Sequence, residues 1–297
     1  MTTTLHFDQK PALAGYLLKA LLSTKSGKDA WPTELSAEVA PAAPDAAWVA
    51  SYRKICGFAP DNTLPGTVPQ VFAVPMHIAM LTHPTFPLKP MGIVHVRQTI
   101  QVIRPIRVGE AFGLRSTLSA PRQAKRGREF DLSTEALVNG EVVWEGVTTI
   151  LAPERQPGTA KPTGKKERVE EPAMRVPGNR LLQSASWSLS ESLGRDYTRV
   201  AGDFNPIHLH AWAARPFGFK KAIIHGMWLL GRTLADLQER LPDGPYEISM
   251  DFRRPVSLPG RVFFVAEKVS ENEIGFSVRN REQTREHVTG FVKTGGK

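Results

Sequence analysis

The stretch 197–208 reads YTRVAGDFNPIH, and it combines the end of a helix pattern with two residues that interrupt a helix. The pattern of residues 190–200 predicts a helix. Gly202 and Pro206 should end it, because proline lacks a backbone N–H and pushes the preceding Asn205 out of the helical region. We therefore expect the chain to fold back sharply directly after this helix.

This turn determines where two titratable side chains point. On an uninterrupted helix, Asp203 and His208 would point about 140° apart. A sharp turn can instead bring the carboxylate and the imidazole to one small volume, with the Asn205 amide bracing the turn. A carboxylate and an imidazole that face one water form a general acid/base pair, which can take a proton from one atom and return one to its neighbour.

The residues after the turn predict a site for a developing negative charge. Gly226 begins an apolar helix pattern over 226–237, and free N–H groups lie at such a helix start together with the positive end of the helix dipole. Because Gly226 has no side chain, a carbonyl oxygen can approach these groups closely, which suits stabilisation of an enolate. The alternative is that Gly226 only permits tight packing.

Other catalytic chemistries find less support in the sequence. The segment contains no G-x-S-x-G elbow, and His208 and His210 lie two residues apart rather than at the helical spacing of a zinc protease. The single cysteine, Cys56, permits no internal disulfide and no Cys-rich metal site. We therefore expect an active site without a metal ion.

Helix and strand patterns repeat in the two halves of the chain. In the first half, a proline-interrupted apolar helix at 68–81 precedes strand candidates at 92–106, 111–120, 129–137 and 141–151. In the second half, the helix at 226–237 precedes strand candidates at 246–256, 261–268, 274–279 and 287–293. The Arg-Pro-Ile at 104–106 is echoed by Arg-Pro-Val at 254–256. This echo supports an internal duplication.

A segment rich in Pro, Gly and charge separates the halves and predicts a linker at 153–181. A sheet that wraps one helix leaves an exposed edge, and pairing two such sheets removes it. We therefore expect an α+β fold in which two long central helices are each wrapped by an antiparallel sheet, and the two sheets pair into one pseudo-dimeric unit.

Charge and hydropathy limit the classes of partner. The net charge of +9 is spread over both halves, and aromatic residues make up only 8%, whereas nucleic-acid binders usually concentrate their charge and add stacking positions. An anionic small ligand fits better. The uncharged stretch 62–88 contains five prolines, which a membrane-spanning helix would not tolerate. With no signal-peptide pattern at the N-terminus, we expect a cytoplasmic protein that binds neither nucleic acid nor membrane.

The motifs quoted above resemble those of a known enzyme family. The stretch 197–208, with Ala214, Gly218-Phe219 and the HGM at 225–227, resembles the signature of the MaoC-like (R)-specific enoyl-CoA hydratases and 3-hydroxyacyl-thioester dehydratases, which have the hotdog fold. The full length resembles the double-hotdog members of that family. The resemblance implies an N-terminal hotdog at 1–152, the linker at 153–181 and a C-terminal catalytic hotdog at 182–297.

The resemblance also implies an activity, the reversible addition of water to a trans-2-enoyl thioester that gives the (R)-3-hydroxyacyl thioester. Asp203 and His208 match the family's catalytic pair, with Asp203 as the base that activates water and His208 as the partner that positions it. Asn205 matches the residue that braces the turn, and Gly226 matches a backbone donor near the thioester oxygen. The substrate itself carries CoA or acyl carrier protein, so no separate cofactor is implied.

The sequence departs from the family pattern at two places. Ala201 stands where many relatives have a small hydroxyl residue, and we expect this to affect packing rather than chemistry. The first half has Asp61-Asn62, but Gly66 stands where the motif requires histidine. We therefore expect the first half to be catalytically silent and to shape the acyl-chain pocket.

Further residues are candidates for substrate contacts, since basic side chains can bind the phosphates of CoA. The candidate substrate-binding residues are Arg104, Lys220, Lys221, Arg253, Arg254 and His225. Solvated surface charge is the alternative for the basic ones. His77 is expected in the core or the acyl pocket, and His210 at the surface.

Three other functions remain open from the sequence. The first is a 3-hydroxyacyl-carrier-protein dehydratase of fatty-acid synthesis, because an acidic carrier protein suits a basic enzyme. The other two are a non-catalytic acyl-thioester-binding protein and a hotdog thioesterase. We also consider a homodimer of double-hotdog chains.

Overall fold

A computed structural model gives the structure of the protein, and it describes residues 2–25, 30–154 and 180–295. The first half contains β1 (Thr2–Phe7), α1 (Leu13–Leu21), β2 (Glu34–Ala42), α2 (Ala46–Cys56), α3 (Val68–Thr82), β3 (Val94–Val102), β4 (Phe112–Leu118), β5 (Arg122–Ala124), β6 (Gly127–Val138) and β7 (Glu141–Pro153). The second half contains β8 (Leu181–Leu189), α4 (Leu193–Ala201), α5 (Ala211–Ala214), α6 (Gly226–Asp236), β9 (Tyr246–Phe252), β10 (Gly260–Ser270), β11 (Glu273–Asn280) and β12 (Glu286–Thr294).

The strands form one sheet that is continuous across the two halves. Its order is β1-β2-β4-β6-β7-β3-β9-β12-β11-β10-β8, with β5 paired to β6. The halves meet where β3 pairs antiparallel with β9, in a register that places Thr99 opposite Ser249 and Ile100 opposite Ile248. From this joint outward, the strand order of the first half repeats in the second. The expected α+β double unit, with two sheets paired edge to edge, is confirmed.

The two central helices, α3 and α6, are almost entirely buried. In α3, the buried residues lie on all sides of the helix, as expected for a helix enclosed by a sheet. Pro69 lies in its first turn, where the missing N–H has no helical partner to lose. Pro75 lies inside the helix. In α6, Leu230 and Leu234 are fully buried.

Short hydrogen-bond patterns repeat between the halves and show that they share local structure. The Leu64 N–H donates to the Ile106 carbonyl over 2.7 Å, and the Ile224 N–H donates to the Val256 carbonyl over 3.0 Å. Isolated bridges join Thr63 to Arg107 and Ile223 to Ser257. The echoed Arg-Pro-Ile and Arg-Pro-Val segments therefore occupy equivalent places, and any site in one half has a counterpart in the other.

Some of the expected elements differ from the structure. The helices at 68–81 and 226–237 and the eight strand candidates are present within a few residues of the expected bounds. The sequence interpretation also predicted α4 but did not include β1, α1, β2, α2, β5, β8 or α5. The predicted linker falls largely on residues 155–179, which lie outside the described residues, so the division of the chain into units stays a prediction.

Within the part of the chain that the structure describes, no helix is both long enough and apolar enough to cross a membrane.

Candidate active site

The turn after α4 is built by local hydrogen bonds. Gly202 adopts a left-handed backbone conformation with φ of 77° and caps α4, a conformation that glycine adopts without steric cost. The backbone N–H of Asn205 then donates to Oδ1 of Asp203 over 3.1 Å. The Asn205 side-chain oxygen accepts from the Ile207 N–H over 3.4 Å at the start of a short 3₁₀ helix, Pro206–His208. Asn205 therefore braces the turn from both sides.

His208 is held by contacts with its ring and its backbone. Its Nδ1 lies 2.8 Å from the carbonyl oxygen of Ile223. Because a carbonyl oxygen only accepts hydrogen bonds, Nδ1 carries a proton and Nε2 is left for the site. A Cβ atom on Gly194 of α4 would lie 2.1 Å from the His208 carbonyl oxygen, so this glycine lets α4 pack directly against the turn. His208 itself is only 8% exposed.

The turn brings the expected pair together and adds a third residue, His225. An imidazole nitrogen of His208, one of His225 and a carboxylate oxygen of Asp203 all lie within 4.8 Å of one another. One water molecule can bridge such a separation with two hydrogen bonds of about 2.8 Å each. The Asp203 side chain is 35% exposed, so the site is open to solvent at the carboxylate.

The protonation states of the pair follow from burial and neighbouring groups. Burial raises the pKa of Asp203, but His225, His208 and the Asn205 N–H together hold it below its ordinary value. Burial lowers the pKa of His208, and the nearby Asp203 carboxylate offsets this only in part. At neutral pH, therefore, Asp203 is ionised and His208 is neutral. In these states the Asp203 carboxylate and Nε2 of His208 can both accept protons.

The start of α6 lies beside the pair. His225 is the N-cap residue of α6, and its side chain makes no capping hydrogen bond to the first N–H groups of the helix. A Cβ atom on Gly226 would lie 2.9 Å from the Phe252 ring. Only glycine therefore fits between α6 and the end of β9. The tight packing proposed for Gly226 is observed, whereas its role as a donor to a substrate oxygen stays a prediction.

The first half contributes one residue that sequence reasoning missed, His95 of β3. Its ring lies edge-on to the Phe252 ring, with centroids 4.8 Å apart, and its Nε2 lies 3.0 Å from the Arg97 carbonyl oxygen. Burial lowers the pKa of His95 to about 4, and the Asp203 carboxylate acts in the opposite direction. His95 reaches this region only because β3 pairs with β9. No local sequence pattern predicts that contact.

The remaining candidate residues lie at various distances from the turn. Arg253 and Arg254 directly follow Phe252 and are exposed, while Lys220 and Lys221 are exposed shortly before Ile223 in the chain. Their roles as substrate contacts stay predictions.

Arg104 lies in the first half instead, where its guanidinium pairs with both carboxylate oxygens of Glu110. His77 is buried and lies 2.8 Å from the Thr134 hydroxyl. His210 is exposed, and its ring stacks on Trp212.

The counterpart of the turn in the first half carries different side chains. Gly57 caps α2 in the left-handed conformation, as Gly202 caps α4, but the next residue is Phe58 where the second half has Asp203. The expectation that Asp61 and Gly66 occupy the Asp and His positions of the motif is therefore wrong, because the chain length between the helix cap and the next helix differs between the halves. The Arg53 guanidinium donates to the Thr63 carbonyl, which is the counterpart of the Ile223 carbonyl that holds His208. In the first half, this carbonyl therefore accepts from an arginine of α2 rather than from an imidazole.

A cavity of about 210 Å³ lies at this counterpart place. Tyr246 lines it, and its hydroxyl would lie 2.2 Å from a Cβ atom on Gly66. The tyrosine side chain therefore lies against the start of α3, as the Phe252 ring lies against the start of α6.

The three residues at the turn are also of types that bind metal ions. However, Nδ1 of His208 and Nε2 of His225 both face backbone carbonyl oxygens, and such nitrogens carry protons rather than a metal ion. This geometry suits an acid/base pair better than a metal site, and the expectation that no metal is needed stays a prediction.

The architecture defines the class of protein. A long buried helix wrapped by an antiparallel sheet is a hotdog, and two of them joined edge to edge within one chain form a double hotdog. The sequence profile of the MaoC like domain matches residues 173–290. The chain is 33% identical over 253 residues to 3-hydroxyacyl-thioester dehydratase X of Mycobacterium tuberculosis, covering 84% of this chain and 85% of that protein. The chain belongs to the MaoC-like dehydratase family and is a hydro-lyase.

Solved structures agree with this assignment. The crystal structure of HtdX from Mycobacterium tuberculosis matches with a TM-score of 0.72 at 29% identity, over 86% of this chain and 98% of that one. A MaoC-like dehydratase from Phytophthora capsici matches with a TM-score of 0.68 over 93% of this chain and 97% of that one. At 16% identity, this second likeness concerns the fold alone.

Proposed function

We propose that the protein catalyses the reversible, (R)-specific hydration of trans-2-enoyl-CoA to (R)-3-hydroxyacyl-CoA, with Asp203 and His208 as the acid/base pair. The observation that carries the proposal is that a carboxylate and a buried imidazole converge beside the start of α6. The family membership and the name of the 33% identical relative support an acyl thioester as the substrate.

The pair accounts for the orientation of the attacking water. The Asp203 carboxylate and the unprotonated Nε2 of His208 each accept one hydrogen of a single water, so that its oxygen lone pair points at C3 of the enoyl group. Asp203 takes a proton as the C3–O bond forms, and the pair returns a proton to C2 on the same face. The net change is the addition of H and OH across one double bond, and no nucleophilic side chain is required.

The start of α6 stabilises the charge that develops during this addition. Attack at C3 moves an electron pair onto the thioester oxygen as an enolate. The N–H of Gly226 and the positive end of the α6 dipole stabilise this oxygen, and one such donor is typically worth about 10²–10³ in kcat. Gly226 also lets the Phe252 ring pack against this helix start.

The test is the loss of activity on removing either member of the pair. Asp203→Asn and His208→Gln should each lower kcat by about 10² or more, since general acid/base groups contribute about 10²–10⁴. Hydration is followed by the fall in enoyl-thioester absorbance. His210→Gln, at an exposed ring near the turn, is the matched control. A folded Asp203→Asn variant with wild-type activity would refute the proposal, and release of free thiol from saturated acyl-CoA would reveal a thioesterase.

A second candidate, the dehydration of a 3-hydroxyacyl-carrier protein, is favoured by the surface next to the turn. Two large apolar side chains are exposed there, Phe204 at 49% and Trp212 at 72%. Lys220 and Lys221 are exposed in the same segment of chain. Exposed aromatic rings flanked by positive charge suit an acidic protein better than solvent.

The two substrates can be separated with one acyl chain on both carriers. If the carrier protein is the substrate, Trp212→Ala and Lys220→Glu should lower kcat/KM at least tenfold on acyl carrier protein and leave acyl-CoA within about twofold, because binding to a flat protein surface depends on a few anchor residues. Lys268→Glu, at the exposed end of β10, is the control. Equal losses on both carriers would favour CoA.

We also propose that the first half lacks an acid/base pair and lines the acyl site of the second half through β3. The side chains of Phe58 and Arg53 in the counterpart turn support the first statement, and the contact of His95 with Phe252 supports the second.

A further inference from the structure

His225 is buried against the acid/base pair. Its ring stacks on the ring of His208, with centroids 3.7 Å apart and planes 27° from parallel. Only 2% of its surface is exposed, which leaves almost no area for contact with a ligand. A role as a substrate contact is therefore poorly supported, and the question is what this imidazole does for its neighbours.

The hydrogen bonds of His225 define its tautomer. Its Nε2 lies 3.1 Å from the backbone carbonyl oxygen of Asp203, and a carbonyl oxygen only accepts, so Nε2 carries the proton. The Thr198 hydroxyl lies 2.9 Å from the same carbonyl oxygen. The Thr198 hydroxyl lies equally close, at 2.9 Å, to the Gly194 carbonyl oxygen, so its single hydrogen is shared between these two carbonyls, and His225 is the second side-chain donor at Asp203.

The other ring nitrogen shows that His225 is neutral. Nδ1 is buried and has no hydrogen-bond partner among the described residues, so a proton there would be an unsatisfied buried donor. A charged ring would also lie face to face with His208. Burial first, and then His208, lower the pKa of His225 to about 3.

We propose that His225 is a positioning residue that fixes the acid/base pair: through Nε2–H it holds the Asp203 backbone, and with its ring face it supports the imidazole of His208. This inference rests on the proposed function. Asp203 is then restrained at its carboxylate by the Asn205 N–H and at its carbonyl by Thr198 and His225. His208 is restrained at Nδ1 by Ile223 and on one face by the His225 ring.

The test uses substitutions that keep or remove the donor. The amide nitrogen of glutamine reaches about as far as Nε2 of histidine, whereas that of asparagine reaches only about as far as Nδ1. His225→Gln should keep kcat within about fivefold of the wild type. His225→Asn and His225→Leu should lower kcat about 10²-fold with KM within about twofold, because a misplacement of about 1 Å costs that much. Circular dichroism and thermal unfolding check that each variant is folded.

Two further measurements keep the inference testable if His225→Leu does not fold. Ring ¹⁵N shifts should show His225 as a single Nε2–H tautomer from pH 5 to 8. Thr198→Val should lower kcat more in the His225→Asn background than in the wild type, because both side chains hold one carbonyl and asparagine no longer reaches it. A charged His225 at pH 6, or independent effects of the two substitutions, would overturn the proposal.

The outcomes separate this inference from the proposed function. If Asp203→Asn is inactive and His225→Leu is fully active, only the positioning role fails. If His225→Gln and His225→Leu are both folded and lose activity equally, the hydrogen bond to Asp203 is not the reason for the loss. The positioning role is then also refuted. If Asp203→Asn is active, the proposed function itself fails.

Discussion

Buried histidines connect the active site to the acid stability of the protein. His77 and His225 are 4% and 2% exposed, and burial lowers the pKa of each to about 3. In the unfolded chain the same rings titrate near 6.5. Between these values the unfolded state binds more protons than the folded state. The contribution of these two rings to the free energy of unfolding is therefore fully present above about pH 6.5 and is lost as the pH falls towards 3.

His77 offers a test of this effect away from the turn. The slope of the unfolding free energy against pH should decrease by about 1.4 kcal/mol per pH unit in His77→Gln between about pH 4 and 6, because one titrating ring is removed. Glutamine can keep a contact with the Thr134 hydroxyl. Urea unfolding at several pH values measures the slope. His6→Gln, at a side chain that is 71% exposed on β1, is the control, and an unchanged slope in His77→Gln would contradict the prediction.

The pH dependence of catalysis should follow the residues of the pair. The pKa of Asp203 and that of His208 both lie below their ordinary values, so both groups are in the proton-accepting state at neutral pH. We expect kcat/KM to be constant from about pH 8 to 6.5, the ordinary pKa of histidine, and to fall at lower pH as His208 takes up a proton. An acidic limb with its midpoint above 6.5 would contradict this assignment.

Among the individual residues of the site, only some could be predicted from their spacing in the sequence. Asp203, Asn205 and His208 come together through a glycine, a proline and hydrogen bonds within a few residues, all of which can be read from adjacent letters. By contrast, His95 reaches the site through the pairing of β3 with β9. Arg53 contacts the Thr63 carbonyl through the turn that follows α2. Neither contact leaves a periodic or motif signal in the sequence.

The junction of α6 with β9 is the element contact on which the site depends most. Gly226→Ala should place a methyl group against the Phe252 ring, at 2.9 Å from it. Overpacking of this kind costs about 1–3 kcal/mol of stability. We expect kcat to fall about 10-fold to 10²-fold, because the helix start shifts relative to the pair.

A second substitution distinguishes a shift of the helix from loss of a donor. Alanine keeps the backbone N–H, so Gly226→Ala combined with Phe252→Leu should recover most of the stability and activity. Gly244→Ala is the control, since nothing lies within 4 Å of a Cβ atom at that position. If the double variant is as inactive as Gly226→Ala alone, the ring contact is not the cause of the loss.

The elements that the sequence predicted share one physical property. α3, α6 and the strands that follow them are apolar enough for burial to produce a clear local pattern. By contrast, β2 contains Pro41 and is exposed along its second half, and β8 carries alternating exposed serines. α2 has an exposed face and only a short apolar stripe. These elements are specified by the sheet edge and the helix they contact, not by their own composition.

At the scale of the whole molecule, the β3–β9 joint holds the halves together through its buried side chains. Ile100 and Ile248 face each other there and are fully buried, so Ile248→Ala should lower the free energy of unfolding by about 2–5 kcal/mol. Arg97 and Asp251 form an ion pair at the same joint with side chains 51% and 39% exposed, and Arg97→Ala should cost no more than about 1 kcal/mol. Urea unfolding compares the two, and the reverse order would contradict this account.

Dividing the chain tests whether the halves are separate folding units that complete one site. Fragments 1–154 and 155–297, expressed together, should purify as a complex with dehydratase activity, because the joint and the core provide the contacts between them. Fragment 155–297 alone should be inactive, since it lacks β3 and His95. Full activity of the second fragment alone would show that the first half is not needed for catalysis.

Joining the two hotdogs in one chain also changes the molecularity of assembly. Two separate hotdogs would meet through a bimolecular step and come apart on dilution, whereas β3 and β9 of this chain meet at an effective concentration of the order of millimolar. Specific activity should therefore not vary with enzyme concentration, even at nanomolar levels. The joint can then accumulate substitutions that would dissociate a dimer, so each half is free to diverge without losing its partner.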